Sequence, residues 1–310
     1  MTTKIKKVLI TGGSGMVGQA FNEVQTEKEL ILLSSRDCDL RDKKKTYDLF
    51  DHIKPDAVIH LAARVGGIQA NMSHMAEFYL DNVLINTHVL EASRRSNVKK
   101  VVSLLSTCVY PDNVSYPLTE EQIHNGKPHS SNFAYAHAKR MLDIQSRAYR
   151  DQYGCNFITA VPNNLFGEND NYHLEHSHVI PAIMHKMLRS YGKVKLWGDG
   201  SPLREFTYSF DLAKILLFLL EYYEDSSPIN VGNTNEFSIR DVAYKIKHYM
   251  GFSGEIEWDT TKPSGQFRKP SSNEKLRSLG WSAEDYTPFD DALEASCLWF
   301  KSNYPNVRGA

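Results

Sequence analysis

Two short stretches of this sequence carry side chains that can exchange protons with a bound substrate. In "NFAYAHAKRMLD", Tyr135 and Lys139 are four residues apart, so on a helix they share one face. An ammonium near a phenol favours the phenolate and lowers the pKa of the tyrosine, which makes it a proton donor or acceptor near neutral pH. In "SLLSTCVYP", Ser106 and Cys108 follow an apolar run of strand length.

Cys108 stands out because the chain has four cysteines, with no C-x-x-C pair and no metal-ligand spacing. A buried cysteine is more often a packing residue than a catalyst, and we interpret Cys38, Cys155 and Cys297 in that way. Unpaired thiols indicate a reducing compartment. The apolar part of the N-terminal run "MTTKIKKVLIT" is too short for the h-region of a signal peptide, and "ILLFLL" at 215–220 is too short to cross a bilayer. We therefore expect a cytoplasmic protein.

A glycine-rich stretch, "VLITGGSGMVG", places Gly12, Gly15 and Gly18 after the first apolar run and at the start of a helical pattern. Glycine there allows a tight turn and a close approach of a pyrophosphate, and the helix start supplies free N–H groups. A strand before the glycines and a helix after them are the context that a dinucleotide site requires.

The second apolar run ends in "LILLSSRDCDL", which indicates the type of dinucleotide. An NAD site commonly has a carboxylate at this point for the ribose 2′-OH. Here Ser34 and Ser35 occupy that position and Arg36 follows, a combination that suits a 2′-phosphate. We therefore favour NADP(H), with the alternative that Asp37 serves as the acid and Arg36 is a solvated surface residue.

Apolar runs of strand length alternate with amphipathic stretches through about residue 165, including helical stretches at about 74–95 and 133–153. This rhythm indicates βαβ units and a parallel sheet buried on both faces. The sequence predicts an α/β fold, a doubly wound Rossmann sheet with a smaller, discontinuous C-terminal α/β domain for the substrate. We assign residues 1–165 and about 206–232 to the cofactor domain, and 166–205 and 233–310 to the substrate domain.

Overall charge excludes one class of partner. Lys and Arg total 36, and Asp and Glu total 37, so no global field attracts nucleic acid or an anionic membrane. An anionic small molecule would need a local cluster of cations. Three histidines, His173, His176 and His178, lie close together, but without acidic or cysteine partners they are weak evidence for zinc, and we expect no metal.

The combination of the glycine loop, Ser106 and the Tyr135–Lys139 pair resembles the extended short-chain dehydrogenase/reductase family, over the whole chain. The resemblance implies that Ser106 and Tyr135 polarise a substrate carbonyl, while Lys139 holds the cofactor ribose and tunes the tyrosine. It also implies a set of cofactor-binding residues. These are Gly12, Gly13, Ser14, Gly15, Met16, Val17, Gly18, Arg36, Asp39, Leu40, Ala62, Ala63, Lys139, Asn163, Leu165 and His178.

Within that family, "STCVYP", "RVGGIQAN", "PNNLFGENDNY", "SHVIPA", "LWGDGSPLREF" and "TTKPSGQF" resemble members that epimerise a GDP-4-keto-6-deoxy sugar at C-3 and C-5 and then reduce C-4 with NADPH. The resemblance gives the two epimerisation roles, base and acid, to Cys108 and His178. A thiol and an imidazole are among the few side chains that exchange protons both ways at neutral pH. Which of the two is the base stays open.

The same resemblance places the GDP-sugar on Lys186, Trp197, Arg204 and Ser264. Members of the family often have an aspartate where Ser264 stands and a threonine where Asn163 stands, so these are the least secure transfers. Dehydratases of the family carry an acidic pair after the serine, and Thr107 and Cys108 occupy those positions here, which disfavours dehydration.

Two other functions are considered. A UDP-sugar 4-epimerase would hold NAD and recycle it, and Arg36 and Cys108 argue against it. A binding protein without activity would lack catalytic residues, and here Ser106, Tyr135 and Lys139 are present. Relatives pair through helices like those at 74–95 and 133–153, so the resemblance implies a homodimer.

Overall fold

A computed structural model of the chain describes residues 4–174, 176–262 and 267–310, apart from the side chains of residues 68 and 69. The strands in chain order are β1 (Lys7–Thr11), β2 (Glu29–Leu33), β3 (Ala57–His60), β4 (Lys100–Leu104), β5 (Phe157–Val161), β6 (Asn164–Phe166), β7 (Lys193–Trp197), β8 (Leu203–Tyr208), β9 (Ile229–Asn230), β10 (Glu236–Ser238) and β11 (Glu255–Asp259). The helices are α1 (Met16–Ala20), α2 (Lys43–Ile53), α3 (Ile68–Ser73), α4 (Met75–Arg95), α5 (Phe133–Tyr153), α6 (Val179–Arg189), α7 (Ser209–Tyr222), α8 (Ile239–Met250), α9 (Glu274–Ser278) and α10 (Phe289–Asn303).

A parallel sheet with the strand order β2-β1-β3-β4-β5-β9 forms the centre of the molecule. Strands covered on both faces consist of continuous apolar runs, and β3, β4 and β5 are buried along their whole length. Because β1 pairs with β2 on one side and β3 on the other, the direction of chain progress reverses at β1. Open α/β sheets bind ligands beside such a reversal, at the carboxyl ends of the strands. The predicted Rossmann sheet is confirmed.

Helices cover both faces of this sheet. On one face, α1 and α7 form an apolar core with the strands, in which Val17 and Leu216 are buried. On the other face, α2, α4 and α5 do the same, and Phe50, Leu90 and Leu142 are completely buried there. The predicted helices at 74–95 and 133–153 correspond to α4 and α5. The helix after the glycine loop, α1, ends at Ala20, and a 3-10 turn at Phe21–Glu23 follows it.

A third apolar core is built from the chain after residue 165. It packs α6, α8 and α10 against the parallel pair β7–β11 and the three-stranded sheet β10-β8-β6. Tyr172 stacks on Phe300 with ring centroids 4.2 Å apart. Ser238 caps α8 by accepting a hydrogen bond from the backbone nitrogen of Asp241 at 3.0 Å. The predicted boundary near residue 206 falls inside β8.

None of the helices in the described parts of the chain combines the length and the apolarity needed to cross a bilayer.

Candidate active site

The loop between β1 and α1 brings Gly12 against the end of β3. Gly12 has a φ of +75°, a conformation that favours glycine, and a Cβ there would stand 2.8 Å from the backbone nitrogen of Ala62. A Cβ on Gly18 would stand 2.5 Å from the carbonyl oxygen of Gly12. Bare backbone in a tight turn at the end of a parallel strand fits the pyrophosphate of a dinucleotide. The predicted cofactor residues Gly12, Gly13, Ser14, Gly15, Met16, Val17 and Gly18 all lie in this loop and in the first turns of α1, and Ala62 and Ala63 follow β3.

In the turn after β2, Asp37 is hydrogen-bonded within the turn, whereas Arg36 is exposed. The carboxylate of Asp37 accepts hydrogen bonds from the backbone nitrogen of Ser34 at 2.8 Å and from its hydroxyl at 2.6 Å. These bonds with Ser34 lower the pKa of Asp37. The acid therefore closes the turn, while the Arg36 side chain is exposed. This arrangement fits a 2′-phosphate better than a bare 2′-hydroxyl.

Asp39 and Leu40 lie in the next turn of the chain. The Asp39 carboxylate binds the Arg41 guanidinium through Nε at 2.9 Å and Nη2 at 2.8 Å, and Arg41 also reaches Asp81 at 3.4 Å. Leu40 is buried, and its carbonyl oxygen is hydrogen-bonded with Nδ1 of His88 at 3.0 Å. Asp39 therefore fixes a second guanidinium on this side of the sheet.

Beyond β4, the chain forms a 3-10 turn at Thr107–Val109 that carries Cys108. Ser106 precedes the turn, and its hydroxyl oxygen accepts a hydrogen bond from the backbone nitrogen of Cys108 at 3.3 Å. Cys108 is partly exposed, as is Cys155, which packs on the apolar core of α2, α4 and α5, whereas Cys38 and Cys297 are buried. Residue 108 is therefore not fully enclosed by the packed interior.

Tyr135 and Lys139 lie on the buried face of α5, next to this turn. Nζ of Lys139 donates a hydrogen bond to the carbonyl oxygen of Leu104 at 2.8 Å. Burial lowers the pKa of Lys139 to about 8. Burial, and next the negative charge of Cys108, raise the pKa of Tyr135. The expected lowering of the pKa of Tyr135 by Lys139 is not found, because desolvation of the phenolate sets the direction and the lysine is not among its causes.

A buried chain of hydrogen bonds connects the start of the glycine loop to α5, the helix that carries Tyr135 and Lys139. The hydroxyl of Thr11 lies 2.7 Å from Nδ1 of His60 and accepts a bond from the nitrogen of Ala62 at 3.2 Å. Nε2 of His60 lies 3.1 Å from Oδ1 of Asn86, whose Nδ2 donates to the carbonyl oxygen of Ala138 at 3.3 Å. Burial, together with the charge of Lys139, lowers the pKa of His60 to about 3, so this imidazole is neutral. His60, which begins the "HLAA" stretch at 60–63, thus links β1 and β3 through Asn86 to Ala138, the residue before Lys139.

His178 forms the N-terminal boundary of α6. Its side chain is exposed by surface area, yet enough protein surrounds it that desolvation lowers its pKa. His173 and His176 lie upstream and stack on each other with ring centroids 4.5 Å apart. Within the described ranges, no hydrogen bond joins His178 to Cys108, and no group of three or more His, Cys, Asp or Glu side chains is arranged for a metal ion.

The amide of Asn163 is committed to a buried network. Its Nδ2 donates to Glu205 at 3.2 Å and to the carbonyl oxygen of Asn233 at 2.8 Å, and its Oδ1 accepts from Thr207 at 2.6 Å. All of its side-chain polar atoms are used, so only the backbone of Asn163 is left to line a cofactor pocket. Leu165 lies in the middle of β6 and is partly exposed.

Most of the predicted substrate residues gather on the third core. The ammonium groups of Lys186 and Lys262 each lie 5.9 Å from the ring centroid of Trp197, which is 59% exposed. Arg204 is partly buried, and desolvation lowers its pKa. Ser264 lies outside the described residues. A cationic and aromatic surface of this kind suits an anionic nucleotide.

Two cations that the sequence analysis did not single out contact the Cys108 turn. Nζ of Lys269 donates to the carbonyl oxygen of Thr107 at 3.0 Å. Nε of Arg140 donates to the carbonyl oxygen of Val109 at 2.7 Å. Arg140 adjoins Lys139 in "AKR", and Lys269 stands in "KPSGQFRK", but no spacing in either string indicates these contacts.

Comparison with known proteins agrees with this geometry. The model of the NAD dependent epimerase/dehydratase family matches residues 8–232. GDP-L-fucose synthase of Dictyostelium discoideum is 45% identical, covering 99% of this chain and 99% of that one. A probable GDP-L-fucose synthase of Drosophila melanogaster is 41% identical, covering 98% of this chain and all of that one.

Among solved structures, a GDP-L-fucose synthetase from Naegleria fowleri bound to NADP superimposes with a TM-score of 0.94. It is 40% identical, and the match covers 99% of this chain and 96% of that one. The similarity therefore includes the large sheet, the Cys108 turn and the third core. The chain belongs to the NAD dependent epimerase/dehydratase family and is similar along its whole length to the GDP-L-fucose synthases.

Proposed function

We propose that this protein converts GDP-4-keto-6-deoxy-D-mannose to GDP-L-fucose by epimerisation at C-3 and C-5 and NADPH-dependent reduction at C-4. One observation carries the proposal beyond a generic reductase. A partly exposed cysteine, Cys108, follows Ser106 and lies close enough to Tyr135 for its charge to raise the pKa of the phenol. A simple reductase needs the hydroxyl and the phenol but has no use for a thiol beside them.

The cofactor of this reaction is NADP(H). The glycine loop supports its pyrophosphate, and Arg36 with the backbone near Ser34 supports the 2′-phosphate. When bound, NADPH supplies the hydride that reduces the C-4 carbonyl. Lys139 is held by the carbonyl of Leu104, and in this proposal its ammonium binds the ribose hydroxyls.

Epimerisation relies on the acidity of the hydrogens beside the C-4 ketone. A base takes the proton from C-3 or C-5, the electron pair moves to the C-4 oxygen, and an acid returns a proton to the opposite face of the same carbon. We assign these two roles to Cys108 and His178, which come from β4 and from the start of α6. The pKa of His178 is lowered by desolvation, so its imidazole is neutral at neutral pH and must gain a proton before it acts as an acid.

Reduction uses Ser106 and Tyr135. The pKa of Tyr135 is raised by burial, which keeps its phenol protonated at neutral pH. Protonated phenol is the form that donates to the C-4 oxygen as hydride reaches the carbon. The Ser106 hydroxyl donates a second hydrogen bond to the same oxygen and polarises the carbonyl before transfer.

The nucleotide of the substrate lies on the third core in this proposal, which gives that core the role of a substrate-binding domain. Lys186 and Arg204 pair with the diphosphate, and Trp197 offers its exposed ring to the nucleotide. Ser264 contributes a hydroxyl where an acid is usual, so it can accept a hydrogen bond from the nucleotide without adding charge.

We further propose a homodimer formed by α4 and α5, in the cytoplasm. Met75, Tyr79 and Leu80 on α4 and Ile144 and Tyr153 on α5 are between 44% and 56% exposed, and apolar exposure of this extent on paired helices is typical of interfaces. The four cysteines are free thiols, as a reducing compartment maintains them. Ile144→Glu should convert the protein to a monomer by sedimentation; an unchanged mass would place the interface elsewhere.

Turnover in deuterated water tests the proposal. GDP-4-keto-6-deoxy-D-mannose and NADPH should give GDP-L-fucose with deuterium at both C-3 and C-5 and one NADPH consumed for each product. Cys108→Ser should lose label at one or both carbons, with NADPH still bound. Label without consumption of NADPH would leave an epimerase that does not reduce C-4, and consumption without label would leave only a reductase.

A further inference from the structure

The turn that carries Cys108 is held on both sides by positively charged side chains. On the N-terminal side, Lys269 donates from Nζ to the carbonyl oxygen of Thr107 at 3.0 Å. On the C-terminal side, Arg140 donates from Nε to the carbonyl oxygen of Val109 at 2.7 Å. The cysteine is therefore the one residue between two carbonyls that each bind a cation.

Arg140 is unusual because it is buried without a counterion. It is 7% exposed, its Nη1 donates to the carbonyl oxygen of Gly126 at 2.7 Å, and its buried Nη2 has no partner in the described part of the chain. Desolvation lowers the pKa of Arg140, and no described carboxylate pairs with it. A buried charge without a counterion is costly, so the hydrogen bonds to the carbonyls of Val109 and Gly126 are what hold the guanidinium here.

Lys269 arrives from a different part of the fold, beside β10 and β8. Desolvation lowers the pKa of Lys269, and the negative charge of Cys108 is the next contribution and raises it. Arg204 lowers the same pKa and Asp112 raises it. The neighbouring segment is anchored by Ser271, whose nitrogen and hydroxyl donate to the buried Glu205 at 2.8 and 2.6 Å. Lys269 is therefore presented to the thiol by a fixed segment.

A second titratable group that interacts with the thiol, Tyr135, comes from α5. Burial, and next the charge of Cys108, raise the pKa of Tyr135, so a thiolate and a phenolate oppose each other. Of the two groups that interact with the charge of this thiol, Lys269 is a cation and Tyr135 is a neutral phenol. Opposite charge nearby favours the ionised form of an acid, and a thiolate, not a thiol, removes a proton.

We propose that Arg140 and Lys269 are positioning residues for Cys108: both hold its turn, and Lys269 also keeps positive charge beside the sulfur while Cys108 takes up a proton from the sugar. The inference rests on the proposed epimerisation. In the proton transfer, the thiolate takes hydrogen from the carbon beside the ketone and becomes a thiol, and the electron pair of the broken C–H bond passes to the ketone oxygen. The two cations touch neither sugar nor cofactor in this role.

The test separates charge from position with matched variants. Lys269→Met removes the charge, and Lys269→Arg keeps it. Lys275→Met is the control, because Lys275 is a partly buried lysine from the same region whose Nζ donates to Ser227 and Pro228, at 2.9 and 3.0 Å, away from the thiol. Alkylation of residue 108 by iodoacetamide, located by mass spectrometry, reports the thiolate as a function of pH.

We expect the midpoint of the alkylation profile to move to higher pH by about one unit in Lys269→Met, to return in Lys269→Arg, and to stay unchanged in Lys275→Met. An unchanged midpoint in Lys269→Met would overturn the role of the charge. This measurement needs no substrate, so its result stands apart from the proposed function. If the wild-type protein fails to label sugar in deuterated water while Lys269→Met still moves the midpoint, only the proposed function fails.

Arg140→Lys tests position, because removal of the whole guanidinium can unfold its surroundings. One ammonium keeps the charge but cannot bind the carbonyls of Val109 and Gly126 together in the same geometry. We expect an unchanged alkylation midpoint and about tenfold slower deuterium entry at the sugar, since misplacement of a reacting group slows it steeply. The KM for NADPH should stay constant. Deuterium entry at the wild-type rate would overturn the positioning role of Arg140.

Discussion

Burial of the Lys139 ammonium should lower the free energy of unfolding at pH 7, and this cost can be measured directly. Its pKa falls from the ordinary 10.5 to about 8 because the ammonium is buried. A difference of about 2.5 in pKa corresponds to about 3.4 kcal/mol at 1.36 kcal/mol for each unit. Lys139→Met removes this cost but also loses the hydrogen bond to Leu104, worth about 1 kcal/mol. We expect the variant to be more stable at pH 7 by about 2 kcal/mol.

The sign of the pH dependence follows from proton binding. Between pH 8 and 10.5, the unfolded chain keeps a proton on this lysine that the folded protein has lost, so folding becomes more favourable as the pH rises. The wild-type protein should therefore gain about 2 kcal/mol relative to Lys139→Met between pH 7 and pH 9.5. The advantage of the variant should vanish near the upper end of that range.

Urea unfolding at pH 7.0, 8.5 and 9.5, followed by circular dichroism, measures the free energies of unfolding of both proteins. Lys44→Met is the control, because the Lys44 side chain is 84% exposed and its removal leaves no buried charge behind. A Lys139→Met variant that is less stable than wild type at pH 7, or a difference that does not change with pH, would refute the reasoning.

Three further residues on the cofactor and catalytic surfaces, and one in the loop that leads to His178, give predictions of their own. Tyr135→Phe should slow hydride transfer by about 100-fold or more with NADPH still bound by fluorescence titration; reduction at the normal rate would reject Tyr135 as the proton donor. Arg36→Ala should weaken NADPH about tenfold and leave NADH unchanged by calorimetry; equal losses for both would assign the 2′-phosphate to another group. Gly12→Ala should destabilise the protein by about 1–3 kcal/mol in urea unfolding, because φ is +75° there, and an unaltered midpoint would contradict the tight turn. Burial raises the pKa of Asp170 to about 7, so this carboxyl makes the protein less stable as the pH rises from about 4 to 7; Asp170→Asn should abolish that part of the pH dependence in thermal unfolding, and retention of the full dependence would exclude this group as its source.

The large sheet could be predicted because its strands are buried on both faces. Such strands are short apolar runs, and the amphipathic stretches between them indicate crossover helices. Tyr135, Lys139 and Ser106 could be proposed for a similar reason, because each lies at a fixed distance from an element that local pattern reveals. The glycine loop adds a backbone conformation that few other residues adopt.

The electrostatics of the site could not be predicted in this way. A lysine four residues from a tyrosine indicates attraction, but the pKa of Tyr135 depends on how much protein surrounds the phenol, and burial raises it. Asn163 is a similar case. Its amide looks available in the sequence, and only the fold shows that Glu205, Thr207 and Asn233 occupy it.

Contacts between residues far apart in the chain are the second feature that could not be predicted from the sequence. Arg140 binds a carbonyl 31 residues away and Lys269 one 162 residues away. Neither separation produces a periodic signal, since each depends on how two distant segments are brought together. A pair of this type is visible only when both segments are folded.

The separation of 162 residues between Lys269 and Thr107 also has a consequence for the order in which parts of the enzyme form during translation. Early segments of a nascent chain fold before late ones emerge, and every strand of the large sheet precedes residue 231. A nascent chain can therefore fold its large sheet and glycine loop before Lys269 has been synthesised. At that stage the Cys108 turn lacks its contact with this lysine. If that lysine makes the sulfur reactive, the thiol stays weakly reactive through most of translation. It gains its full nucleophilicity only after some 270 residues have been joined.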